Sequence, residues 1–510
     1  MEFLGPLIGG VSQLSDIWLW LFVVAGTILG VIGGGMPGMG TTLLYGMVLP
    51  FTFALDPVHA VAFLLSISVG VGYGNSIPAI LMGIPGTPAA VLTVLDGHQM
   101  HKRGEGGLAL ATAFMASVSG QVISILLFIL LVVPLMDLAY SFLFPELFAL
   151  YVLGILAIIS LTGANMIKGL VAAAFGLVIA LVGLDSVNLN TRFTFDLMIL
   201  RNGFDTMAVL IGLLAVSELF RSSRQVFNWG GDQDGAKSRA FPPLSKLRPA
   251  IPATLGGTVL GTFVGAVPGA GATPAALLAY QQARMMSKEP EKFGKGSVEA
   301  LAATDSAQNA SNSGELIPTL GLGVPGSTSM VMLLSALTVQ GFVPGPMMIR
   351  QTPDLFYAAI GGMLAASIVL LLLGWWMASL MLKAVHMSRT VVLILSIATV
   401  VLGVYSLNGR VFDLVVMFVA GVIGYFMLRY GYSTAAAALA FVLGGELERS
   451  FRLGLNLVDG SFVAFFTRPI TATILIVTLF IVFIGVVRSW KFRKREMSRV
   501  KHGMTLGDQS

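Results

Sequence analysis

Cysteine is absent from the 510-residue sequence, which excludes disulfides, thiolate metal sites and cysteine nucleophiles. Charged residues are scarce, at 11% of the chain, whereas soluble domains contain about 25%. A soluble protein of this length could not cover its surface with so few charges, and 56% of the residues are hydrophobic. The composition therefore predicts an all-α, polytopic integral membrane protein with lipid as a surrounding partner.

Missing motifs argue against several other functional classes. The sequence contains neither HExxH nor GxSxG, so we expect no enzymatic activity and assign no catalytic residue. The net charge of +5 is modest, and the basic residues lie between apolar segments, which does not indicate a nucleic-acid partner. No cofactor is expected, and no metal site other than one for Na⁺ as a coupling ion.

Apolar segments recur along the chain as candidate membrane spans. A helix needs about 20 apolar residues to cross the hydrocarbon layer, and several segments are shorter and interrupted by Gly and Pro, so we expect roughly 10–12 transmembrane helices plus broken or re-entrant hairpins. The segments lie near residues 17–35, 58–74, 76–95, 108–134, 138–160, 167–184, 205–220, 251–267, 272–286, 316–339, 355–382, 390–407, 411–429, 434–445 and 469–488.

A polar segment separates the spans into two halves of similar size. The predicted regions are a first transmembrane repeat half (1–220), a basic loop (221–250), a second repeat half (251–488) and a basic tail (489–510). Arg and Lys cluster in the loop and the tail, so the positive-inside rule predicts that both face the cytoplasm.

The two halves share a motif that is rich in Gly and Pro. Residues 74–87 and 314–327 align without a gap, and both read G-x-x-I-P-x-x-x-x-G-[IV]-P-G-[ST]. Upstream, residues 36–42 (MPGMGTT) match residues 267–273 (VPGAGAT), and the spacing between the two motifs differs by nine residues. Two motifs repeated in the same order predict a duplication, and whether the halves are inverted stays open.

These motifs predict broken helices at membrane depth. Proline removes a backbone donor and glycine tolerates positive φ, so each Pro-Gly cluster interrupts a helix. Interrupted backbone persists in a membrane only where protein buries it or where it lines a wet cavity. A half-helix that begins after Pro-Gly-[Ser/Thr] presents free N–H groups to an anion, and paired breaks of this kind indicate a transporter binding site.

Groups in and beside the Pro-Gly clusters are therefore the candidate substrate-binding residues, because they suit a carboxylate without a buried positive charge. Serine, threonine and asparagine also cap helices routinely, so capping is the alternative role for the polar members. The candidates are Thr41, Thr42, Asn75, Pro85, Gly86, Thr87, Thr273, Pro325, Gly326, Ser327 and Thr328.

The polar stretch 304–315 lies between apolar segments and contains the candidate ion-coupling residues. They are Asp305, Asn309, Asn312 and Glu315, whose oxygen atoms suit a hard cation such as Na⁺. With Gln308, the first three share one helical face at i, i+3, i+4 and i+7. An acid at the bilayer centre costs about 2.5–3.5 kcal/mol, which favours a functional role. The alternative is a water-exposed loop that leads into the second hairpin.

Several long motifs carry a resemblance to a known family. They include YGNSIPAILMGIPGTPAAVLTVLDG near residues 73–97, VPGAGATPAALLAY from residue 267, and SAQNASNSGELIPTLGLGVPGS from residue 306. The chain resembles the tripartite tricarboxylate transporter family, specifically its large membrane subunit, the TctA family. One departure is that Ala303-Thr304-Asp305 stands where the family usually has Ala-Pro-Glu.

The resemblance implies a multi-pass carrier of the bacterial inner membrane. It implies symport of organic carboxylates, of the tricarboxylate or dicarboxylate type, driven by a Na⁺ or H⁺ gradient. It also implies two protein partners, which are a small membrane subunit and an extracytoplasmic solute-binding protein. Alternating access by rocking and by an elevator-like slide both stay open.

An ion channel or another membrane pore is the alternative function. Residues 71–74 (VGYG) are similar to the potassium-channel filter, in which backbone carbonyls replace the water around the ion. Gly70 stands where the filter has Thr, and the second half has no matching copy. Close helix packing through small residues is the competing interpretation of this string.

Overall fold

The computed structural model describes residues 4–36, 39–139, 141–162, 166–185, 190–223, 242–342, 345, 348–384, 389–483 and 486. Helices make up most of these residues, which confirms the predicted all-α class. The predicted cytoplasmic tail and most of the predicted loop 221–250 lie outside the described residues.

The α-helices of the described residues range from three to 34 residues in length. In chain order they are α1 (Leu4–Ser12), α2 (Ile17–Gly34), α3 (Thr41–Thr52), α4 (Pro57–Gly74), α5 (Ser76–Met82), α6 (Val91–Thr93), α7 (Gln99–Lys102), α8 (Gly106–Ala139), α9 (Phe144–Thr162), α10 (Met166–Ala180), α11 (Thr206–Leu210), α12 (Ser217–Ser223), α13 (Ile251–Gly265), α14 (Ala272–Met286), α15 (Val298–Leu322), α16 (Thr328–Val339), α17 (Met348–Gln351), α18 (Pro353–Ala384), α19 (Arg389–Asn408), α20 (Val411–Arg429), α21 (Thr434–Leu457), α22 (Phe462–Thr467) and α23 (Pro469–Phe483).

Shorter elements complete the described secondary structure. An antiparallel pair is formed by β1 (Gly183–Leu184) and β2 (Thr191–Arg192). The 3₁₀ turns are Gln13–Ser15, Pro88–Ala90, Met198–Leu200, Leu244–Lys246, Arg248–Ala250 and Pro290–Lys292, and the π turns are Val94–His98 and Ile211–Val216.

The chain forms two compact units. One comprises residues 1–141 and 205–425 and contains both Pro-Gly motifs. The other comprises residues 142–204 and 426–510, in which α9, α10 and α21 pack together. In this second unit Arg192 donates to both carboxylate oxygens of Glu448 at 2.9 Å, which ties β2 to α21. The predicted division into repeat halves stays a prediction.

Length and apolar composition identify five described helices that could cross a membrane. They are Ile17–Gly34, Pro57–Met82 (α4 with α5), Gly106–Leu135, Pro353–Ala378 and Val411–Arg429. Shorter apolar helices of 10–17 residues accompany them, among them α3, α10 and α16. The predicted count of 10–12 spans stays a prediction, because length and composition do not decide whether the shorter helices cross.

Two helix pairs in the first unit pack through small residues in the same way. The glycines of α2 and their α4 neighbours are Gly26 with Ser66, Gly30 with Ile67, and Gly34 with Val71. The glycines of α13 and their α15 neighbours are Gly257 with Ser306, Gly261 with Ala307, and Gly265 with Ser311. A Cβ on Gly34 would lie 2.8 Å from Val71 Cα, and one on Gly265 would lie 2.9 Å from Ser311 Cα, so only glycine allows these approaches.

The sequence spacing of these contacts follows the predicted repeat. Each α15 neighbour lies 240 residues after its α4 counterpart, and each α13 glycine lies 231 residues after its α2 counterpart. These two offsets differ by nine residues, as the spacings of the two motifs do. The same set of contacts therefore recurs in the α2–α4 pair and in the α13–α15 pair.

The polar stretch 304–315 lies within α15, a continuous helix of 25 residues. The alternative of a water-exposed loop is therefore wrong, because every residue from 304 to 311 is buried. Hydropathy missed this helix because its polar residues face neighbouring helices rather than lipid. Pro318 also lies inside α15 without ending it.

The helices do end at the predicted Pro-Gly clusters. α5 stops at Gly83 (φ 68°) and α15 stops at Gly323 (φ 71°), both in the left-handed conformation that favours glycine. In each case the glycine N–H donates to a proline carbonyl five residues earlier, at Pro78 and Pro318. Extended residues follow, and then a new helical turn begins at Pro88 and at Thr328.

Candidate functional site

The first cluster places Thr87 against the end of α4. The Asn75 side-chain amide donates to Thr87 Oγ1 at 3.1 Å, and Ser76 Oγ lies 3.1 Å from Asn75 Oδ1. A Cβ on Gly86 would lie 3.0 Å from Asn75 Cα, so the extended strand passes directly over the helix end. Because Asn75 donates in this contact, the Thr87 hydroxyl hydrogen is left for another acceptor.

The second cluster repeats this arrangement with a carboxylate. Ser327 Oγ donates to Glu315 Oε2 at 2.5 Å, and a Cβ on Gly326 would lie 2.6 Å from Glu315 Cα. The Gly326 N–H is already satisfied by Thr319 Oγ1 at 3.0 Å, so it is not free for an anion. Ser329 Oγ lies 3.0 Å from Ser327 Oγ and extends the network along the start of α16.

Neither hydroxyl at these N-cap positions serves as a cap. Thr87 precedes the Pro88 turn and Ser327 precedes α16, yet neither side chain makes a capping hydrogen bond. The first N–H groups of α16 thus lack the side-chain acceptor that a serine N-cap usually supplies. The capping alternative is wrong for these two residues.

The remaining substrate candidates lie at helix starts or in the extended strands. Thr41 and Thr42 begin α3, Thr273 is the second residue of α14, and Thr328 begins α16. Gly269 N–H donates to Gly326 O at 2.8 Å, which brings the upstream motif of the second half against its Pro-Gly cluster. Pro325 is buried and Pro85 half-buried in the extended strands.

Asp305 lies at the centre of a buried polar network on α15. The side chain is fully buried, and Oδ1 accepts from Ser76 Oγ and, at 3.4 Å, from Thr93 Oγ1. Gln308 shares Thr93 with Asp305 and adds Asn75, because its Oε1 accepts from Asn75 at 3.4 Å and its Nε2 donates to Thr93 at 3.3 Å. The first Pro-Gly hairpin is therefore linked directly to the polar face of α15.

Three buried oxygen atoms near this network lack hydrogen-bond partners. They are Asp305 Oδ2, Asn309 Oδ1 and the Tyr73 hydroxyl. Asn309 is otherwise held by a bond from its amide to Asp305 O at 2.9 Å, and Asn312 donates to Ser68 O at 3.3 Å. Buried oxygens without donors are the groups that a hard cation would satisfy.

The predicted ion-coupling residues do not form one site. Ten residues separate Asp305 from Glu315 on a continuous helix, which places them about 15 Å apart along the axis. One cation cannot contact both carboxylates over that distance. The structure brings Asp305 together with Asn309, and it brings Glu315 together with Ser327, a predicted substrate residue.

Sequence reasoning missed several members of these networks, namely Tyr73, Ser76, Thr93 and Thr319. Ser76 and Thr93 each donate to a residue more than 200 positions away, so only the fold reveals their role. Residues 71–74, which are similar to a channel filter, lie in the buried end of α4. Their carbonyls belong to a helix, and Gly70 and Gly74 pack on α2 as the small-residue interpretation predicts.

The comparisons with known proteins agree with the motif resemblance. Residues 20–439 match the family described as Tripartite tricarboxylate transporter TctA family. An uncharacterized 52.8 kDa protein in the TAR-I ttuC′ 3′ region of Agrobacterium vitis is 35% identical over 491 residues, which is 95% of both chains. An uncharacterized protein in the TAR-II ttuC′ 3′ region of the same organism is 32% identical over 242 residues, which is 46% of this chain and 98% of the relative.

No solved structure matches the chain significantly. The family match extends over most of the sequence and includes both Pro-Gly motifs and α15. The described apolar helices fit the multi-pass membrane protein that such a family requires. The chain belongs to the TctA family of tripartite tricarboxylate transporters.

Proposed function

We propose that this chain is the large membrane subunit of a binding-protein-dependent secondary transporter in the bacterial inner membrane. It imports organic carboxylates of the tricarboxylate or dicarboxylate type by symport with Na⁺ or H⁺. We expect no enzymatic activity. The observation that carries the proposal is the pair of Pro-Gly hairpins whose hydroxyls bond to two buried polar residues, Asn75 between α4 and α5 and Glu315 on α15.

The two halves arise by duplication in this proposal. Reciprocal packing supports it, because α3 packs on α16 while α14 packs on the Pro88–Ala90 turn. α3 and α14 each follow an upstream motif, and α16 and the Pro88 turn each follow a Pro-Gly cluster. The element after the upstream motif of each half therefore contacts the element after the Pro-Gly cluster of the other half. A pseudo-two-fold relation between the halves produces this exchange of partners.

The substrate carboxylates bind at the two Pro-Gly clusters in this account. Thr87 and Ser327 supply hydroxyl donors, and the uncapped start of α16 supplies backbone N–H groups with a favourable dipole. Hydroxyl and N–H donors hold an anion without placing a buried cation in the membrane, where charges are costly.

The driving cation binds beside Asp305 in this account. The unpartnered oxygens of Asp305, Asn309 and Tyr73 supply the ligands, and Asn312 lies one turn further along the same face. Ser76 and Thr93 connect this site to the first hairpin, so cation binding at Asp305 affects substrate binding there.

Transport depends on the small membrane subunit and on the solute-binding protein, which delivers the carboxylate. Uptake of labelled citrate and tartrate into proteoliposomes tests this, with the large subunit alone and with a small membrane subunit and a solute-binding protein added. The proposal expects uptake only with partners and only under an inward Na⁺ or H⁺ gradient. Full-rate uptake by the large subunit alone would refute the dependence on partners, and a conductance without substrate would support a pore.

A further inference from the structure

Asn75 and Glu315 occupy equivalent positions in the two motifs, 240 residues apart. Each contacts the hydroxyl residue twelve positions later, Thr87 or Ser327. The direction of the hydrogen bond is opposite in the two halves. The Asn75 amide donates to Thr87, which leaves the Thr87 hydrogen free, whereas Ser327 donates its hydrogen to Glu315. Ser327 therefore cannot donate to a substrate while Glu315 is an ionised acceptor.

The negative charge of Glu315 also disfavours substrate binding at Ser327, as its hydrogen bond to Ser327 does. Glu315 is 3% exposed, and no ion pair among the described residues includes it. A substrate carboxylate at Ser327 would stand beside an uncompensated negative charge in a site with little water. Like charges at this range repel strongly in a low-dielectric environment.

Other titratable groups near Glu315 are few. Neither α13 nor α16 contains a titratable side chain, and α8 contains none up to Leu135. The phenol of Tyr45 on α3 interacts electrostatically with Glu315, and it donates to or accepts from Ser68 on α4 at 2.6 Å. On α4 Tyr73 faces Asp305, and on α14 Tyr280 faces Asp96 while Arg284 lies one turn further along. No neighbouring basic group among these compensates Glu315.

We propose that Glu315 makes carboxylate binding at Ser327 conditional on a cation, separately from the cation at Asp305. When a proton or Na⁺ neutralises Glu315, the Ser327 hydroxyl turns its hydrogen to the substrate. With a proton, the Glu315 carboxyl donates to Ser327 Oγ and Ser327 donates to the substrate, which completes a chain of donors. The inference rests on the proposed function, and it places Glu315 at the substrate site as a second point of cation coupling.

Coupling of this kind is reciprocal, so it is measurable as a change in substrate affinity with cation concentration. Binding of citrate, tartrate and succinate to the purified chain would be measured with Na⁺ varied at fixed pH, and with pH varied in choline. The affinity of wild type for the best of these acids should rise by about 5- to 150-fold between cation-free and cation-saturated conditions. The series that produces the rise distinguishes Na⁺ from a proton.

Glu315→Gln should keep an acceptor for Ser327 without the charge. Its affinity without added cation should lie above that of wild type, and the rise across the series should shrink to the part that Asp305 contributes. Ser327→Ala is the matched control. It should weaken substrate binding, but the cation dependence of binding at the first cluster, beside Asp305, should persist. Asn75→Asp is the mirror variant, which should add a cation dependence at the first cluster even where Glu315→Gln fails to fold.

Two failures are distinguishable. If wild type binds none of the three acids under any condition, the proposed function is wrong and the inference falls with it. If wild type shows cation-dependent binding and Glu315→Gln keeps the same dependence, the proposed function survives and Glu315 is not the conditional group. A cation dependence in Asn75→Asp no larger than that of wild type would contradict the claim that the two positions are equivalent.

Discussion

The α4–α5 segment and α15 share a backbone course but differ in their buried side chains. Both pack on a glycine-lined helix, and both end at a left-handed glycine before an extended Pro-Gly strand. Where α15 has Asp305, Gln308, Asn309 and Asn312, the equivalent residues of α4 are Leu65, Ser68, Val69 and Gly72. The common frame positions two hairpins, and the second half alone adds the acidic and amide groups that suit a cation.

The largest effect is expected where a change breaks the shared frame. Gly261→Leu on α13 would drive a side chain into the backbone of α15 at Ala307, and overpacking costs about 1–3 kcal/mol, with more where backbone must move. Gly30→Leu should do the same at Ile67 on α4. We expect no monodisperse protein for either variant, measured by size-exclusion chromatography in detergent.

Gly445→Leu is the matched control for this prediction. Gly445 also lies in a helix, α21, but nothing lies within 4 Å of a Cβ placed there. The control should elute like wild type. Normal behaviour of Gly261→Leu or Gly30→Leu would show that the close glycine contacts do not hold the frame together.

An intermediate effect is expected where a change removes one donor from a hairpin. Thr87→Val and Ser327→Ala each remove a hydroxyl, and the loss of a hydrogen bond to a charged group costs about 1.5–3 kcal/mol. Apparent affinity for the carboxylate should therefore fall by roughly ten-fold or more. The check is the concentration dependence of uptake in the three-component system, with Ser335→Ala as control.

Ser335 suits this purpose because its hydroxyl donates to Val331 O within α16 and is buried away from the cluster. If both hairpin variants keep wild-type affinity, the hydroxyls are not substrate ligands. The carboxylate would then depend on backbone N–H groups alone.

The smallest effect is expected at the first residues of α2 and α13, where α2 has a side-chain cap and α13 has none. Asp16 caps α2 by accepting from Trp18 N–H at 2.9 Å, whereas Ala250 before α13 makes no side-chain cap. Asp16→Asn should cost about 1 kcal/mol or less, since asparagine also caps. A thermal melt in detergent should shift by only a few degrees, about 2–4 °C for 1 kcal/mol in a larger domain.

The pH dependence of this contribution has a definite sign. The hydrogen bond from His59 holds the pKa of Asp16 below its ordinary value of 3.8. A carboxyl whose pKa is lower in the folded state stabilises the fold above its unfolded-state pKa, and the contribution is lost as pH falls through the folded-state pKa. The melting difference between wild type and Asp16→Asn should thus be present at neutral pH and vanish in strong acid.

Sequence alone predicted the features that are governed by local chemistry. The breaks at Gly83 and Gly323 follow from glycine and proline. The duplication inferred from two motifs in the same order stays a prediction. α15 could not be found by hydropathy, because its polar residues are buried against other helices. The i, i+3, i+4, i+7 pattern did predict the common face of Asp305 and Asn312, since helical periodicity is local.

Long-range contacts set the limit of that reasoning. Sequence reasoning grouped Glu315 with Asp305 because both are acids in one polar stretch. In the structure they lie far apart along one continuous helix, and Ser327 is the partner of Glu315. The partnership of Ser76 and Thr93 with Asp305 joins residues more than 200 positions apart. No local pattern encodes such a contact.

The central claim is that the hairpins bind the carboxylate while Asp305 couples the cation. The most direct test is the ratio of gradient-driven uptake to zero-gradient exchange in Asp305→Asn and Thr87→Val, with Thr304→Ala as control because its hydroxyl bonds within α15. Asp305→Asn should lower the ratio by about ten-fold or more, the equivalent of 1.4 kcal/mol of coupling, while exchange persists. Thr87→Val should lower both activities and leave the ratio unchanged. Equal ratios in Asp305→Asn and wild type would contradict the account.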